Sequence, residues 1–316
     1  MINFFKLIRY QNLLIIIITQ YFMRWFIIKP ILEVNFFQLQ LSEFNFFLLV
    51  LSTVFISAAG YVINDYFDTK TDLINRPDTV IVGRFINRRI AMLIHTLFSI
   101  SGICIGFYLS FFIKIPLFSF IFVIVSGLLW FYSTTYKRQF LIGNIIVAVL
   151  TALVPFIVII FELPLLNKTY GPLLLQADTN FNYILVWISG FSFFAFITTL
   201  IREIIKDIED FEGDNAFGRN SMPIIIGILY TKIVVVFLCS VLIISLLYVF
   251  VKYLNDNITL LYFLIAIIIP VSFLIFRIVT SREKRDYHTA SIMSKFIMIA
   301  GVIYAPVANF IISTGY

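Results

Sequence analysis

Residues 44–72 read FNFFLLVLSTVFISAAGYVINDYFDTKTD, a long apolar run with three aspartates at its end. A helix needs about 20 predominantly apolar residues to cross the hydrocarbon core of a bilayer, and this run provides them. Comparable apolar runs recur along the whole chain. The stretch therefore predicts a membrane-spanning helix, and it places a cluster of acids at the point where that helix leaves the bilayer.

The composition of the chain points to the same class of protein. Of the 316 residues, 61% are hydrophobic and only 13% are charged, and the mean hydropathy is +1.02. Soluble domains usually carry about 25% charged residues. No soluble fold could bury so many apolar side chains, so the solvent around this chain must be lipid. We predict a single domain over residues 1–316, an all-α polytopic bundle of about nine transmembrane helices.

Gaps between charges and turn residues divide the chain into spans. The predicted helices are 12–31, 44–67, 89–112, 116–135, 141–161, 183–206, 232–254, 258–280 and 289–312. Residues 162–182, which contain Pro164, Gly171 and Pro172, are predicted to form one polar connection. Residues 68–88 and 207–231 are predicted to form two longer and more charged connections.

Lysine and arginine are distributed unevenly between the two sets of loops. The N-terminus and the loops after the even-numbered spans hold most of them, including Arg219, whereas the opposite loops hold only Lys29, Lys114, Lys168 and Lys252. Basic loops stay on the cytoplasmic side of a membrane. We therefore predict a multi-pass protein of the cell (inner) membrane with its N-terminus and charged loops in the cytoplasm. The net charge of +6 indicates topology and contact with anionic lipids, not nucleic-acid binding.

The acidic residues are concentrated in two short stretches, each at the predicted cytoplasmic end of a span. In each stretch three aspartates occupy positions i, i+3 and i+7: Asp65, Asp68 and Asp72 in the first, and Asp207, Asp210 and Asp214 in the second. On a helix these positions share one face. We call the two sets the first and second aspartate columns, and we expect Gly213 to end the helix of the second.

Like charges stacked on one helix face repel one another, and divalent cations remove that conflict. Mg²⁺ prefers a few carboxylates together with water and phosphate oxygens over a closed protein cage. Two columns that face each other could therefore hold Mg²⁺ ions bridged by a diphosphate. Ionisable groups at membrane depth are functional candidates by default. The sequence thus predicts a magnesium–diphosphate site.

These motifs resemble the signatures of a known enzyme family. The pattern Asn64-Asp65-x-x-Asp68-x-x-x-Asp72 is similar to the first signature of the UbiA-type intramembrane prenyltransferases, and residues 202–214 resemble the second. The second stretch is especially similar to the branch that makes digeranylgeranylglyceryl phosphate. The resemblance extends to the nine-span plan and to the positions of both motifs after spans 2 and 6.

Smaller matches accompany the two signatures, and one position departs from the family pattern. Residues 9–12 (RYQN) resemble the family's Arg-x-x-Asn entry to span 1, and Gly143-Asn144 resembles its Gly-Asn at the start of span 5. Asn75-Arg76-Pro77 fits, but Thr79-Val80 stands where a second Arg-Pro is expected. The resemblance suggests Arg84, further along the same loop, as the substitute cation.

The resemblance implies transfer of a prenyl group from an allylic diphosphate to a lipid-soluble acceptor, with Mg²⁺ as cofactor. It implies metal binding and catalysis by all six aspartates of the two columns. Substrate-binding residues are expected on the same side of the membrane: Asn12, Asn64, Arg84, Tyr132, Tyr136, Lys137, Arg138, Asn144, Arg202 and Lys206. The basic members of this set are candidates to bind phosphate oxygens, and the tyrosines can face an allylic carbocation.

The sequence leaves several alternatives open. The acceptor can be a prenylglycerol phosphate or an aromatic compound of quinone or pigment synthesis, and the protein partners remain open. Phosphoryl transfer between lipid alcohols is a second enzyme class, but its Gly- and Arg-containing signature is not found between the aspartates. A transporter would place its acids near the middle of the membrane, not at the ends of spans. A non-catalytic subunit that retains this fold is a further alternative, against which the complete aspartate set argues.

Overall fold

The computed structural model describes residues 2–75, 77–176 and 180–314, so Arg76 of the Asn-Arg-Pro match lies outside the described residues. Within these ranges, nine helices are long and apolar enough to cross a membrane. We label them α1 to α9 in chain order: Tyr10–Val34, Glu43–Asn75, Arg88–Phe112, Pro116–Thr134, Ile142–Gln176, Asn182–Glu209, Ile228–Leu254, Asn257–Thr280 and Lys284–Thr314. The prediction of an all-α, nine-helix membrane bundle is confirmed.

Polar residues set where several of these helices begin. The Asn87 side chain accepts a hydrogen bond from the backbone N–H of Arg89 at 3.0 Å, at the start of α3. Asp256 does the same for Thr259 at 2.7 Å, at the start of α8. Such caps satisfy backbone donors that have no partner within the helix. They explain why the spans begin at the polar interruptions of the apolar pattern.

The bundle is apolar both inside and outside. Large apolar side chains on the outer surface are more than half exposed, for example Leu93, Phe120, Ile244 and Phe296. In a membrane these side chains would contact lipid. Helices α2 and α3 pack closely, and the Ser52 hydroxyl donates to the carbonyl of Gly102 at 2.7 Å. Small residues and interhelical hydrogen bonds of this kind hold membrane helices together, since burial of apolar surface gives little advantage in lipid.

One predicted connection is wrong. Residues 162–176 are not a polar loop but continue helix α5 through Pro164, Gly171 and Pro172. Glu162, the first residue of the predicted connection, is buried and forms an ion pair with Arg24 of α1 at 3.1 Å. It also accepts hydrogen bonds from the backbone N–H groups of Gln40 and Leu41. These contacts allow α5 to remain helical beyond the apolar segment, and prolines are tolerated in such helices because neighbouring groups satisfy the freed carbonyls.

The two charged connections are also shorter than predicted. Helix α2 continues to Asn75, so the first column lies entirely on a helix. Helix α6 continues to Glu209, and two short helices follow at Phe211–Ala216 and Met222–Ile226. Contacts across the bundle stabilise these extensions: the Lys284 ammonium of α9, for example, donates to the last carbonyl of α2, that of Asn75, at 3.2 Å.

Candidate active site

The first column lies on one face of α2, directed into the end of the bundle. Asp68 is buried, with 8% of its surface exposed, and the Asp65 side chain is 17% exposed. Asp65 accepts a hydrogen bond from Arg9 Nη2 at 2.8 Å. Asp68 Oδ1 accepts from Lys137 Nζ at 2.7 Å and from Arg219 Nη2 at 2.6 Å. Cations from three separate parts of the chain therefore converge on this column.

The second column bends away from the axis of α6. Asp207 lies on α6 itself, Asp210 is the residue at which the helix breaks, and Asp214 lies on the short helix Phe211–Ala216. Asp207 Oδ2 accepts a hydrogen bond from the Asn144 amide at 2.8 Å. The break turns Asp214 toward α2, so the column follows two short helical segments instead of one straight face.

The two columns face each other, and one guanidinium joins them. Arg219 donates through Nη2 to Asp68 at 2.6 Å and through Nη1 to Asp214 at 3.1 Å. Its Nη2 also donates to the Thr71 hydroxyl at 3.0 Å. Asp72 and Asp210 lie close enough for their charges to interact. The two aspartate columns therefore face each other, which is the arrangement that a bridged magnesium–diphosphate site needs.

Gly213 allows the two columns to approach, and its predicted role was wrong. It does not end a helix, because it lies inside Phe211–Ala216. Its backbone N–H donates to Asn75 Oδ1 at 3.1 Å. A Cβ atom at this position would overlap the Asn75 side chain. A side chain here would therefore push the second column away from α2, and glycine is needed for close packing, not for an unusual backbone angle.

Burial and charge shift the pKa values of groups just outside the membrane spans. The pKa of Asp214 is raised to about 6, because burial disfavours its charged form more than Arg219 favours it. Burial also opposes the charge of Arg219, but Asp68 and Asp214 outweigh it and raise the pKa of that guanidinium. For Lys137, burial lowers the pKa and Asp68 only partly offsets it. Arg219 therefore stays cationic, and Asp214 is ionised at neutral pH.

Most of the predicted substrate-binding residues lie at this end of the bundle and touch the columns or their neighbours. Lys137 donates to Asn64 Oδ1 at 3.4 Å as well as to Asp68. Tyr132 lies close enough to Asp68 and Asp207 for electrostatic interaction. Arg202 and Lys206 both pair with Glu203, at 2.7 and 3.5 Å.

Three predicted residues lie further from the carboxylates. Arg84 is exposed, and its contacts are the carbonyl of Pro77 at 3.5 Å and the ring of Phe85. Arg138 is exposed, and its carbonyl accepts a hydrogen bond from the backbone of Asn220 at 2.9 Å. Tyr136 packs against the ring of Phe131. A substrate-binding role stays a prediction for these three, as it does for the other residues of the set.

Sequence reasoning missed Arg219 as a site residue. It was counted only among the basic residues that set the topology, and no spacing signal distinguishes it from them. Arg9 was quoted in the Arg-x-x-Asn match without a role. The structure gives it one: it has a left-handed backbone conformation with φ 51°, binds Asp65, and lies over the ring of Tyr61 at 5.1 Å.

The carboxylates suit Mg²⁺ better than a metal that needs a closed cage. In the described part of the chain, no group of three or more His, Cys, Asp or Glu side chains converges on one point. The columns instead offer separate hard oxygen donors along a shared cleft. Mg²⁺ is commonly bound by one or two carboxylates plus water and phosphate oxygens. The donor set therefore fits Mg²⁺ that binds together with a phosphorylated substrate.

Comparison with protein families places the chain in a known group. The model of the UbiA prenyltransferase family matches residues 37–299. The chain belongs to this family. It is a multi-pass membrane protein, as the nine apolar helices and the family indicate together.

Two relatives with the same name illustrate the similarity. The chain is 33% identical to the digeranylgeranylglyceryl phosphate synthase of Methanobrevibacter smithii over 269 residues, which are 83% of this chain and 84% of the relative. It is 32% identical to the enzyme of the same name from Methanothermobacter thermautotrophicus over 202 residues. That second match spans 63% of each chain.

Solved structures share the fold at lower identity. A structure concerned with digeranylgeranylglyceryl phosphate synthase in membranes matches with a TM-score of 0.63 and 22% identity, covering 96% of this chain and 98% of the other. A UbiA homologue from Archaeoglobus fulgidus, solved with GPP and Mg²⁺ bound, matches with a TM-score of 0.58 and 17% identity. That match covers 96% of this chain and 99% of the homologue. At 22% and 17% sequence identity, these matches show that the chain shares the fold of the two solved structures.

Proposed function

We propose that this protein transfers a prenyl group from an allylic prenyl diphosphate to the free hydroxyl of a prenylglycerol phosphate, with Mg²⁺ as cofactor. The observation that carries the proposal is the pair of facing aspartate columns, joined through Arg219 between Asp68 and Asp214. The names of the curated relatives support the choice of acceptor.

The reaction exchanges one carbon–oxygen bond for another. The bond between the first carbon of the prenyl chain and the diphosphate oxygen breaks, and its electron pair leaves with the diphosphate. An ether bond forms between that carbon and the acceptor oxygen, whose proton passes to the departing diphosphate. The difficult part is the negative charge that develops on the leaving group, so catalysis depends on stabilising that charge.

The aspartates of the columns and the cations bound to them would have different roles in stabilising the leaving diphosphate. The six aspartates would hold Mg²⁺, which when bound supplies Lewis-acid stabilisation of the diphosphate oxygens. Arg219 has five N–H donors and uses three hydrogen bonds within the protein, so donors remain for phosphate oxygens. Lys137, held beside Asp68, is the second cation in reach of the cleft.

The aromatic and amide residues around the cleft would orient the substrate and protect the carbocation. Tyr132, whose interactions reach both columns, can present its ring or its hydroxyl to the reacting carbon. Asn144 fixes the orientation of Asp207 through its amide hydrogen bond. The apolar interior of the bundle would exclude water, which otherwise would capture the carbocation.

We also propose that the end of the bundle that carries both columns faces the cytoplasm. The distribution of basic residues supports this orientation: Arg9, Lys137 and Arg219 surround the columns, whereas Lys114 follows the opposite end of α3 and Lys252 lies in the last turn of α7. A water-soluble diphosphate product would then be released into the cytoplasm.

Incubation with a panel of acceptors tests the proposed function. Purified protein in detergent would receive labelled geranylgeranyl diphosphate, Mg²⁺ and either a geranylgeranylglyceryl phosphate or an aromatic acid. We expect a labelled product only with the glycerol phosphate, as separated by chromatography. Product formation with the aromatic acid instead would reject the proposed acceptor, and diphosphate release with neither acceptor would reject prenyl transfer to both.

A further inference from the structure

A second group of cations lies beside the first column, where Arg9 binds Asp65. It consists of Arg9 at the start of α1, Arg202 on α6 and Lys295 on α9. The three side chains lie close together, because the charge of Lys295 interacts with those of both Arg202 and Arg9. Tyr61 of α2 lies among them, with its ring beneath Arg9. Four helices therefore contribute to one cluster of basic side chains, which we call the Lys295 pocket.

Among the described residues, the carboxylates Asp65 and Glu203 pair with Arg9 and Arg202, which leaves the charge of Lys295 without a carboxylate partner. The Lys295 ammonium donates to the neutral amide oxygen of Asn12 at 3.1 Å and not to a carboxylate. Arg202 Nη1 binds Glu203 at 2.7 Å, but its Nε is buried without a hydrogen-bond partner among the described residues. Glu203 also serves Lys206 at 3.5 Å. Glu203 is thus shared by two cations, and Lys295 pairs with no carboxylate in the described part of the chain.

Such an arrangement costs free energy unless an anion occupies it. Like charges repel more strongly where burial lowers the effective dielectric, and a buried donor without a partner loses its hydration without compensation. Phosphate offers several acceptor oxygens and up to two negative charges, and arginine and lysine side chains are the groups that commonly bind it.

We propose that the Lys295 pocket binds the phosphate monoester of the acceptor, with Lys295 as the residue that selects a phosphorylated acceptor over an uncharged one. The proposal rests on the proposed function and deepens it, because the two substrates then use separate anion sites. The donor diphosphate binds at the columns, and the acceptor phosphate binds at Lys295, Arg202 and Arg9.

The position of Arg9 supports this division. It belongs to the Lys295 pocket and also binds Asp65 of the first column at 2.8 Å, so the two sites share a border. In a glycerol phosphate that carries one ether chain, the free hydroxyl lies within two carbons of the phosphate ester. A phosphate held beside Arg9 would therefore keep that hydroxyl next to the first column, where the prenyl carbon loses its diphosphate.

Direct binding measurements test this inference without turnover. The probes are hexadecylglycerol phosphate and uncharged hexadecylglycerol, titrated into the purified full-length protein in detergent by calorimetry. Lys295→Met should weaken binding of the phosphate about tenfold to a hundredfold, the usual effect of losing one charge-assisted hydrogen bond. Its affinity for the uncharged probe should not change, and Lys295→Arg should retain most of the phosphate affinity.

Two controls separate the possible outcomes. Lys252→Met removes a lysine at the opposite end of the bundle, where it contacts only Tyr248 and Tyr253 among the described residues, and it should bind both probes as the wild type does. The Michaelis constant for the prenyl diphosphate should be unchanged in Lys295→Met.

The inference is overturned if Lys295→Met binds the phosphate probe as tightly as the wild type does. Size-exclusion chromatography of Lys295→Met and Lys295→Arg establishes that both variants are folded. The inference is equally overturned if Lys295→Met weakens the prenyl diphosphate instead of the phosphate monoester. Binding is measured without reaction, so the two proposals can fail separately. If Lys295→Met loses affinity for the phosphate probe but the wild-type protein transfers no prenyl group, the Lys295 pocket is supported and the proposed function is rejected.

Discussion

Replacement of Asp68 by asparagine is expected to lower the rate of prenyl transfer by a factor of about 10³ or more. Asp68 is the most extensively paired carboxylate of the first column, bound by both Lys137 and Arg219. Asparagine keeps the shape of the side chain but removes the charge that would hold Mg²⁺ opposite the leaving diphosphate. Metal ions contribute several kcal/mol of such stabilisation, and each ~1.4 kcal/mol is a factor of ten in rate. Asp210→Asn, in the second column, should have an effect of the same order.

The matched control for this experiment is Asp78→Asn. Asp78 belongs to the same acidic stretch of the sequence, but it is exposed and lies on the turn Pro77–Thr79, beyond the end of α2. Its replacement should leave the rate within about twofold of wild type, as surface substitutions usually do. Undiminished turnover in folded Asp68→Asn protein would reject the role assigned to the columns, whatever the control shows.

Replacement of Arg219 by methionine is expected to raise the Michaelis constant for the prenyl diphosphate by about a hundredfold. The substitution removes a guanidinium that joins Asp68 to Asp214, and it leaves two buried carboxylates without that partner. Breaking a buried ion pair from one side commonly costs about 3–5 kcal/mol. We therefore also expect a lower melting temperature in detergent. Arg219→Lys should recover only part of the affinity, because an ammonium cannot reproduce the two-pronged geometry of a guanidinium.

Two other basic residues calibrate this result. Lys70→Met changes an exposed lysine that lies on α2 between the aspartates. The Michaelis constant of this variant for the prenyl diphosphate should match that of the wild type. Arg84→Ala tests the cation suggested by the resemblance, for which a raised Michaelis constant is predicted. If Arg84→Ala raises the constant and Arg219→Met does not, the assignment of the diphosphate-binding cation to Arg219 is wrong.

The spacing of the aspartates was sufficient to predict the arrangement of the first column, but not the break at Asp210 that bends the second column. Positions i, i+3 and i+7 define one face of a helix, so the first column followed directly from the sequence. Lys137 and Asn144 were anticipated through the family resemblance, and the structure places each of them on an aspartate. Lys137 lies three residues after the end of α4 and Asn144 lies in the first turn of α5, so both are fixed by the nearby helix ends.

The contacts that hold the site together could not be predicted, because they join distant parts of the chain. Arg219 and Asp68 are 151 residues apart in sequence, and Lys295 and Asn12 are 283 residues apart. A basic residue in a cytoplasmic loop carries the same topological signal whether it faces water or a carboxylate. Only the packing of the helices distinguishes the two cases.

The errors in the helix boundaries have the same origin. Pro164, Gly171 and Pro172 suggested a loop, and local composition cannot show that Arg24 of another helix is available to pair with Glu162. Gly213 suggested the end of a helix for a comparable reason. Its true constraint is the side chain of Asn75, which lies 138 residues earlier in the sequence.

The metal dependence of product formation tests the central claim most directly. The wild-type protein would be incubated with labelled geranylgeranyl diphosphate and a geranylgeranylglyceryl phosphate, first with excess EDTA and then with Mg²⁺ added back. The proposed mechanism predicts no ether product or diphosphate release in EDTA and full recovery of both with Mg²⁺. Transfer that proceeds at an undiminished rate in EDTA would contradict it, because the aspartate columns would then have no metal to hold.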